Sequence, residues 1–278
     1  MEKVSLTLAI GDYEHTRDLA AGQVPVQGVS LNVLNLPPEE AFFRFTFFRE
    51  WEVSEMSMGK YVSLRSQGDN GIAAIPVFPS RVFRHSMIYV REGDGVAQPE
   101  QLKGKRIGVP EWAQTAVIYS VEWVQAGVNE AGRVEKVKLK LPEGVRLRSE
   151  PARSLNDMLL AGDIDAVLSA RPPGAFGSGI RRLFPDYEQV EAAYFKKTGI
   201  FPIMHVIVIK TNVLERHPWL AMNLYKAFEE AKHRSIERLS DITASHAPLA
   251  WLTPYTERMK NLFGEDFWPY GLEKNRKT

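Results

Sequence analysis

Apolar and polar positions along the chain follow two alternating patterns. Short runs rich in β-branched residues predict strands at 6–10, 30–34, 53–56, 72–77, 86–90, 106–109, 121–125, 166–168 and 206–209, several of them bounded by Gly or Pro. Longer helical patterns cover 39–49, 58–66, 112–119, 154–161 and 188–197. The clearest helix follows Pro218. There Leu220, Leu224, Ala227, Ala231 and Ser235 recur at spacings of three and four, and the proline suits a first helical turn. Strands alternating with helices predict an α/β protein.

Two apolar segments each carry a histidine beside a run able to cross between lobes: 83–90, with His85, and 201–209, with His205. The stretch between them reads as a self-contained unit. The expected organisation is therefore two lobes with a ligand cleft between them. Residues 1–82 and 205–278 would form a discontinuous first lobe, and residues 83–204 an inserted second one.

Composition narrows the function. The 278 residues contain 35 basic and 34 acidic side chains, so the phosphate-binding excess that nucleic acid requires is missing. Zero cysteine removes disulfide scaffolds, thiolate zinc sites and cysteine nucleophiles. The first ten residues alternate like a strand and show no secretory leader, so a cytoplasmic location is expected. The longest uncharged stretch, 19–38, is interrupted by Gly22, Pro25, Gly28 and several amides. It lacks the roughly 20 mostly apolar residues of a membrane span. Phosphate-loop, dinucleotide-binding, nucleophile-elbow and zinc-helix motifs are all missing from the sequence. The expected partner is a small molecule, with neither nucleic acid nor membrane, and a homo-oligomer is compatible with the sequence.

The stretch 102–110, Leu-Lys-Gly-Lys-Arg-Ile-Gly-Val-Pro, resembles the segment that opens the second lobe of type II periplasmic-binding-protein folds. Further stretches resemble the 4,5-dihydroxyphthalate decarboxylase family, a cytoplasmic enzyme branch similar to those binding proteins. They are 36–44 (Leu-Pro-Pro-Glu-Glu-Ala-Phe-Phe-Arg), 54–57 (Ser-Glu-Met-Ser) and 75–86 (Ile-Pro-Val-Phe-Pro-Ser-Arg-Val-Phe-Arg-His-Ser). To these are added 197–205 (Lys-Thr-Gly-Ile-Phe-Pro-Ile-Met-His), 215–219 (Glu-Arg-His-Pro-Trp) and 266–271 (Asp-Phe-Trp-Pro-Tyr-Gly). The chain departs from the family in a shorter link over 110–120 and in ending at Thr278, where members continue with another helix.

The resemblance implies a carboxy-lyase acting on a dihydroxylated aromatic dicarboxylate. Protonating the ring carbon that bears the leaving carboxylate, with electron push from the para hydroxyl, expels carbon dioxide without an electron-sink cofactor. The site then needs an acid, a group for the hydroxyl proton and partners for the carboxylates. His85 and His205 are the candidate acid and base, because imidazole titrates near neutrality; a satisfied core histidine is the alternative for each. Asp12 and Tyr13 follow the first strand, where Asp12 could accept the hydroxyl proton and Tyr13 could stack on the ring, or both could simply shape a turn. Glu55 is a carboxylate inside an apolar strand, costly unless paired, so it belongs either to the site or to a buried salt bridge with Arg81 or Arg84.

Arg81 and Arg84 suit bidentate capture of carboxylates, or pairing with a nearby acid. Arg171 lies at a strand exit, Ser57 ends the third strand and Ser80 follows Pro79. Thr115 lies in the first turn of an expected helix, whose amino end would attract an anion. No metal site is expected. The rival reading is a solute-binding protein that captures a small aromatic or anionic ligand without catalysis, since one fold supports both.

Overall fold

The computed structural model describes residues 2–110, 122–131, 141, 143 and 145–278. Strands predicted from alternation assemble into two sheets, each within its own unit: Met1–Arg81 with Gly199–Thr278, and Val82–Thr198. Residues 199–204, expected with the inserted lobe, belong to the first unit. Met204 N–H donates to the Ser80 carbonyl at 2.8 Å, and Ile203 bridges Arg81.

The first unit holds β1 (Val4–Ile10), β2 (Val29–Asn35), β3 (Val53–Ser57), β4 (Ile72–Ile75) and β11 (His205–Lys210), in the order β2-β1-β3-β11-β4. β1 runs parallel to β2 and β3, whereas β11 returns antiparallel between β3 and β4. All five residues of β3 are buried, as are the four central ones of β11, so the middle of the sheet is covered on both faces. β4 stops at Ile75, short of the expected 77, because Pro76 has no N–H to continue a ladder.

Helices α1 (Arg17–Ala20), α2 (Pro38–Phe48), α3 (Met58–Ser66), α6 (Thr211–Arg216), α7 (Leu220–Ser240) and α8 (Leu252–Phe263) complete this unit. The apolar stripe anticipated on α7 is buried from Leu220 to Ser235.

The second unit holds β5 (Ile88–Arg91), β6 (Arg106–Val109), β7 (Glu122–Gly127), β8 (Arg146–Ser154), β9 (Ala166–Leu168) and β10 (Ile180–Arg182), ordered β10-β5-β9-β6-β7-β8. Its helices are α4 (Leu155–Ala161) and α5 (Tyr187–Thr198). Both ends of α4 are capped: Ser154 Oγ accepts the Asp157 N–H, and Gly162 takes the left-handed conformation at φ 79°. β5 begins at Ile88 because His85–Met87 form a single 3-10 turn. The helix expected over 112–119 lies outside the described residues. Among the described residues no helix is long and apolar enough to cross a membrane.

β6 and α4 meet closely at Gly108, where a Cβ would stand 2.7 Å from Leu155 Cδ2 and 2.8 Å from Ile164 Cδ1. Both neighbours are buried. Gly108→Ala is expected to destabilise the protein by about 1–3 kcal/mol through overpacking, measured by urea unfolding. Unchanged stability would mean that α4 yields without cost.

Candidate active site

Loops at the carboxyl ends of β1 and β3 and the start of β11 meet at one edge of the first sheet. The register places His205 opposite Ser57, two residues from Glu55. Glu55 has no solvent exposure, and a bare carboxylate there would cost several kcal/mol. Three donors answer it. Gly11 N–H reaches Oε2 at 2.7 Å, the Tyr13 hydroxyl reaches Oε1 at 2.6 Å, and His205 Nδ1 stands 2.5 Å from the same Oε1. The Tyr13 oxygen is also 3.3 Å from His205 Nδ1.

Gly11 makes this arrangement possible, since a Cβ at that position would stand 2.8 Å from the Tyr13 ring. The chain can therefore turn after β1 and fold the tyrosine back under the sheet edge. Phe42 of α2 meets the His205 ring edge-on, with centroids 4.8 Å apart. Its packing and the Glu55 contact fix the imidazole plane. With Nδ1–H directed at the carboxylate, Nε2 is the nitrogen left to exchange a proton with a substrate.

The electrostatics follow from burial. Desolvation, reinforced by the charge of Glu55 and the hydrogen bond to it, pushes the Tyr13 hydroxyl far above its ordinary value, against an opposing hydrogen bond with Ser80. The hydroxyl therefore stays protonated and donates. Behind it His15 packs against Tyr13 and Trp268, each with centroids 5.4 Å away. Desolvation lowers His15 to about 4, despite the Glu55 charge and a hydrogen bond to the Pro79 carbonyl, and its buried Nε2 makes no hydrogen bond.

Of the residues expected at the site, the structure brings together Glu55, His205 and Tyr13, with Ser80 beside Tyr13. Ser57 is buried at the end of β3. Asp12 is exposed next to the cluster.

Arg81 is placed otherwise than expected. Its Nη1 donates to the Phe201 carbonyl at 2.9 Å, and Nη2 serves both the Pro269 carbonyl at 2.5 Å and Asn275 Oδ1. Its Nε is buried, and the guanidinium lies over Phe78 and Phe201. Both Nη atoms are engaged, so a bidentate carboxylate clamp does not fit this geometry. Arg81 instead ties the crossing segment to the C-terminal stretch, at the cost of a pKa lowered by desolvation to about 10. Nor is it the partner of Glu55.

Arg84, His85 and Arg171 lie in the second unit. Arg84 donates to Met87 Sδ, and His85 Nδ1 stands 3.8 Å from Glu191. Desolvation lowers the His85 imidazole, which reduces the proton it carries at neutral pH and works against a resting acid. Arg171 is exposed at the exit of β9. Thr115 lies outside the described residues. Sequence reasoning missed the Gly11 N–H and the supporting rings of Phe42 and His15. Among the described residues no three His, Cys, Asp or Glu side chains converge to hold a metal ion.

Comparison with known proteins found no matching family model. The chain is 37% identical over 293 residues to a 4,5-dihydroxyphthalate decarboxylase of Comamonas testosteroni, covering 99% of this chain and 89% of the relative. Among solved structures it is similar to protein AF1704 of Archaeoglobus fulgidus, with a TM-score of 0.52 at 14% identity, covering 98% and 90% of the two chains. It is also similar to the periplasmic aliphatic sulphonate binding protein SsuA of Escherichia coli, with a TM-score of 0.47 at 11% identity, covering 96% and 93%. The mixed α/β architecture with two sheets is that expected from the periplasmic-binding-protein resemblance.

The neutral state of His15 has a consequence for stability. The unfolded chain binds this proton near pH 6.5 and the folded chain only near pH 4, so acid favours unfolding across that window. Lowering the pH from 7 to 4.5 should cost about 2 kcal/mol through this group alone. Urea unfolding of His15→Phe should show a correspondingly smaller loss between the two pH values; an equal loss would show that His15 is not the group responsible.

Proposed function

The chain belongs to the 4,5-dihydroxyphthalate decarboxylase family of carboxy-lyases, and from that premise we propose that it converts 4,5-dihydroxyphthalate to protocatechuate and carbon dioxide. The observation that supports this reading is the pairing of buried Glu55 with half-buried His205 at the carboxyl end of β3, with the second ring nitrogen left for substrate.

In this proposal His205 Nε2 takes the proton of the substrate hydroxyl para to the departing carboxylate, and Glu55 stabilises the imidazolium so formed. Electron density moves through the ring to the carboxylate-bearing carbon, which accepts a proton and becomes tetrahedral. The carbon–carbon bond to the carboxylate then breaks, its electron pair restores the aromatic ring, and carbon dioxide leaves. His205 returns its proton to the phenolate, so the reaction consumes one proton overall, at the ring carbon. Ser57, buried at the end of the same strand as Glu55, is the proposed hydroxyl for a substrate carboxylate. Capture alone, the rival reading, would need cationic clamps but no shared proton between a buried carboxylate and an imidazole.

Purified protein incubated with 4,5-dihydroxyphthalate is expected to release carbon dioxide and form protocatechuate. His205→Ala should lower kcat by about 10²–10⁴-fold, the usual contribution of a general acid–base group, with the fold intact by circular dichroism. Binding without turnover would return the protein to the capture reading, and full activity in His205→Ala would remove His205 from the mechanism.

A further inference from the structure

We propose that Tyr13 is a positioning residue that sets how tightly the Glu55–His205 pair holds its proton, and with it the pH range in which the base half of the reaction runs. The kinetic half of this inference rests on the decarboxylase reading; the titration half does not.

Glu55 Oε1 is shared. It receives the Tyr13 hydroxyl at 2.6 Å and faces His205 Nδ1 at 2.5 Å, while Oε2 is held by Gly11 N–H at 2.7 Å. Short hydrogen bonds to an ionised oxygen are roughly twice as strong as neutral ones. The negative charge that the Tyr13 hydroxyl stabilises is no longer fully available to an imidazolium at His205. A second contact acts the other way, because the Tyr13 oxygen 3.3 Å from Nδ1 offers a lone pair to the imidazolium. The magnitudes decide between them: a 2.6 Å charge-assisted bond outweighs a 3.3 Å contact to an Nδ1–H that is already directed at Glu55 2.5 Å away. The hydroxyl therefore loosens the pair's hold on its proton. Since Tyr13 does not ionise in any working pH range, this influence is constant.

α3, which follows β3 directly, contributes the buried cation Lys60, whose charge is the same in every variant compared below. β4 carries no ionisable side chain, and α2 presents the Phe42 ring to His205. The α2 cation Arg44 is engaged at the surface by Glu40 and Glu50. The turn after β1 brings His15, held neutral, and Asp12, which faces solvent. Tyr270 is buried and stays protonated, and Ser80 is uncharged. Lys232, which also acts on His15, is neutralised by Asp266 and Glu229.

Two substitutions at one atom test the inference. Tyr13→Phe removes the donor and should raise by about 1 unit the pH at which the pair takes up its proton, followed by NMR titration of the His205 ring. The acidic limb of kcat/KM with 4,5-dihydroxyphthalate should move up with it. Replacing Tyr13 by 3,5-difluorotyrosine, a stronger donor of the same shape, should move both readings down. A purely structural role would lower activity at every pH without moving either midpoint. Midpoints that stay fixed, or that move in the same direction in both variants, overturn the proposal. Opposite NMR shifts in a protein that does not turn over the substrate would uphold the tuning and overturn the decarboxylase reading; turnover with fixed midpoints would do the reverse.

Discussion

A carboxylate with no access to water, at the centre of a sheet, is the constraint from which the site is built. Glu55 sits in a strand whose every residue is buried. Left alone, it would take up a proton or unfold its surroundings. The chain instead surrounds it with three donors drawn from two distant places in sequence: Gly11 N–H and the Tyr13 hydroxyl of the turn after β1, and His205, the first residue of β11. Each donor is positioned by the fold, so the charge that destabilises the strand locally also pins the turn after β1 to β3 and β11. Stability and chemistry here depend on the same contacts.

The return of β11 between β3 and β4 gives this pairing its geometry. Because β11 runs antiparallel, its first residue arrives at the edge where the parallel strands β1 and β3 end. His205 thereby meets Glu55 across one ladder, and the imidazole receives both a tautomer and a plane. Arg81 secures the approach to this strand. It spends its guanidinium on the carbonyls of Phe201 and Pro269 and on Asn275, holding the segment before β11 against the C-terminal stretch. A cation placed by sequence logic at the ligand is instead an internal rivet, and its charge is tolerated because oxygen acceptors and two aromatic faces surround it.

How much of this was legible in the sequence depended on whether a residue's partners were near in sequence or far. The central strands β1, β3, β6 and β11 were readable because burial on both faces leaves an apolar signature. The edge strand β8 exposes arginine and serine along most of its length, and β10 is only the three residues Ile180–Arg182, so no alternation marked either. α8 was missed for a related reason: among its buried residues only Thr256 is found, and Pro254 interrupts its first turn. Glu55 announced itself as a charge in an apolar strand, yet its partner was sought among the arginines of 81–84. The hydroxyl, amide and imidazole that satisfy it lie 42, 44 and 150 residues away. His15 carries no sequence signal of its role, and only the packing of Trp268 and Tyr13 around it reveals that its Nε2 is buried and the ring neutral.

The central claim is that Glu55 holds His205 in the tautomer that leaves Nε2 bare for substrate. Nitrogen-15 NMR of the histidine-labelled protein, recorded on the alkaline side where the ring is neutral, tests it directly. The account predicts a protonated Nδ1 and an unprotonated Nε2 for His205, with that preference lost in Glu55→Gln, whose amide can also donate to the ring. A neutral His205 carrying its proton on Nε2 in the parent protein would contradict it.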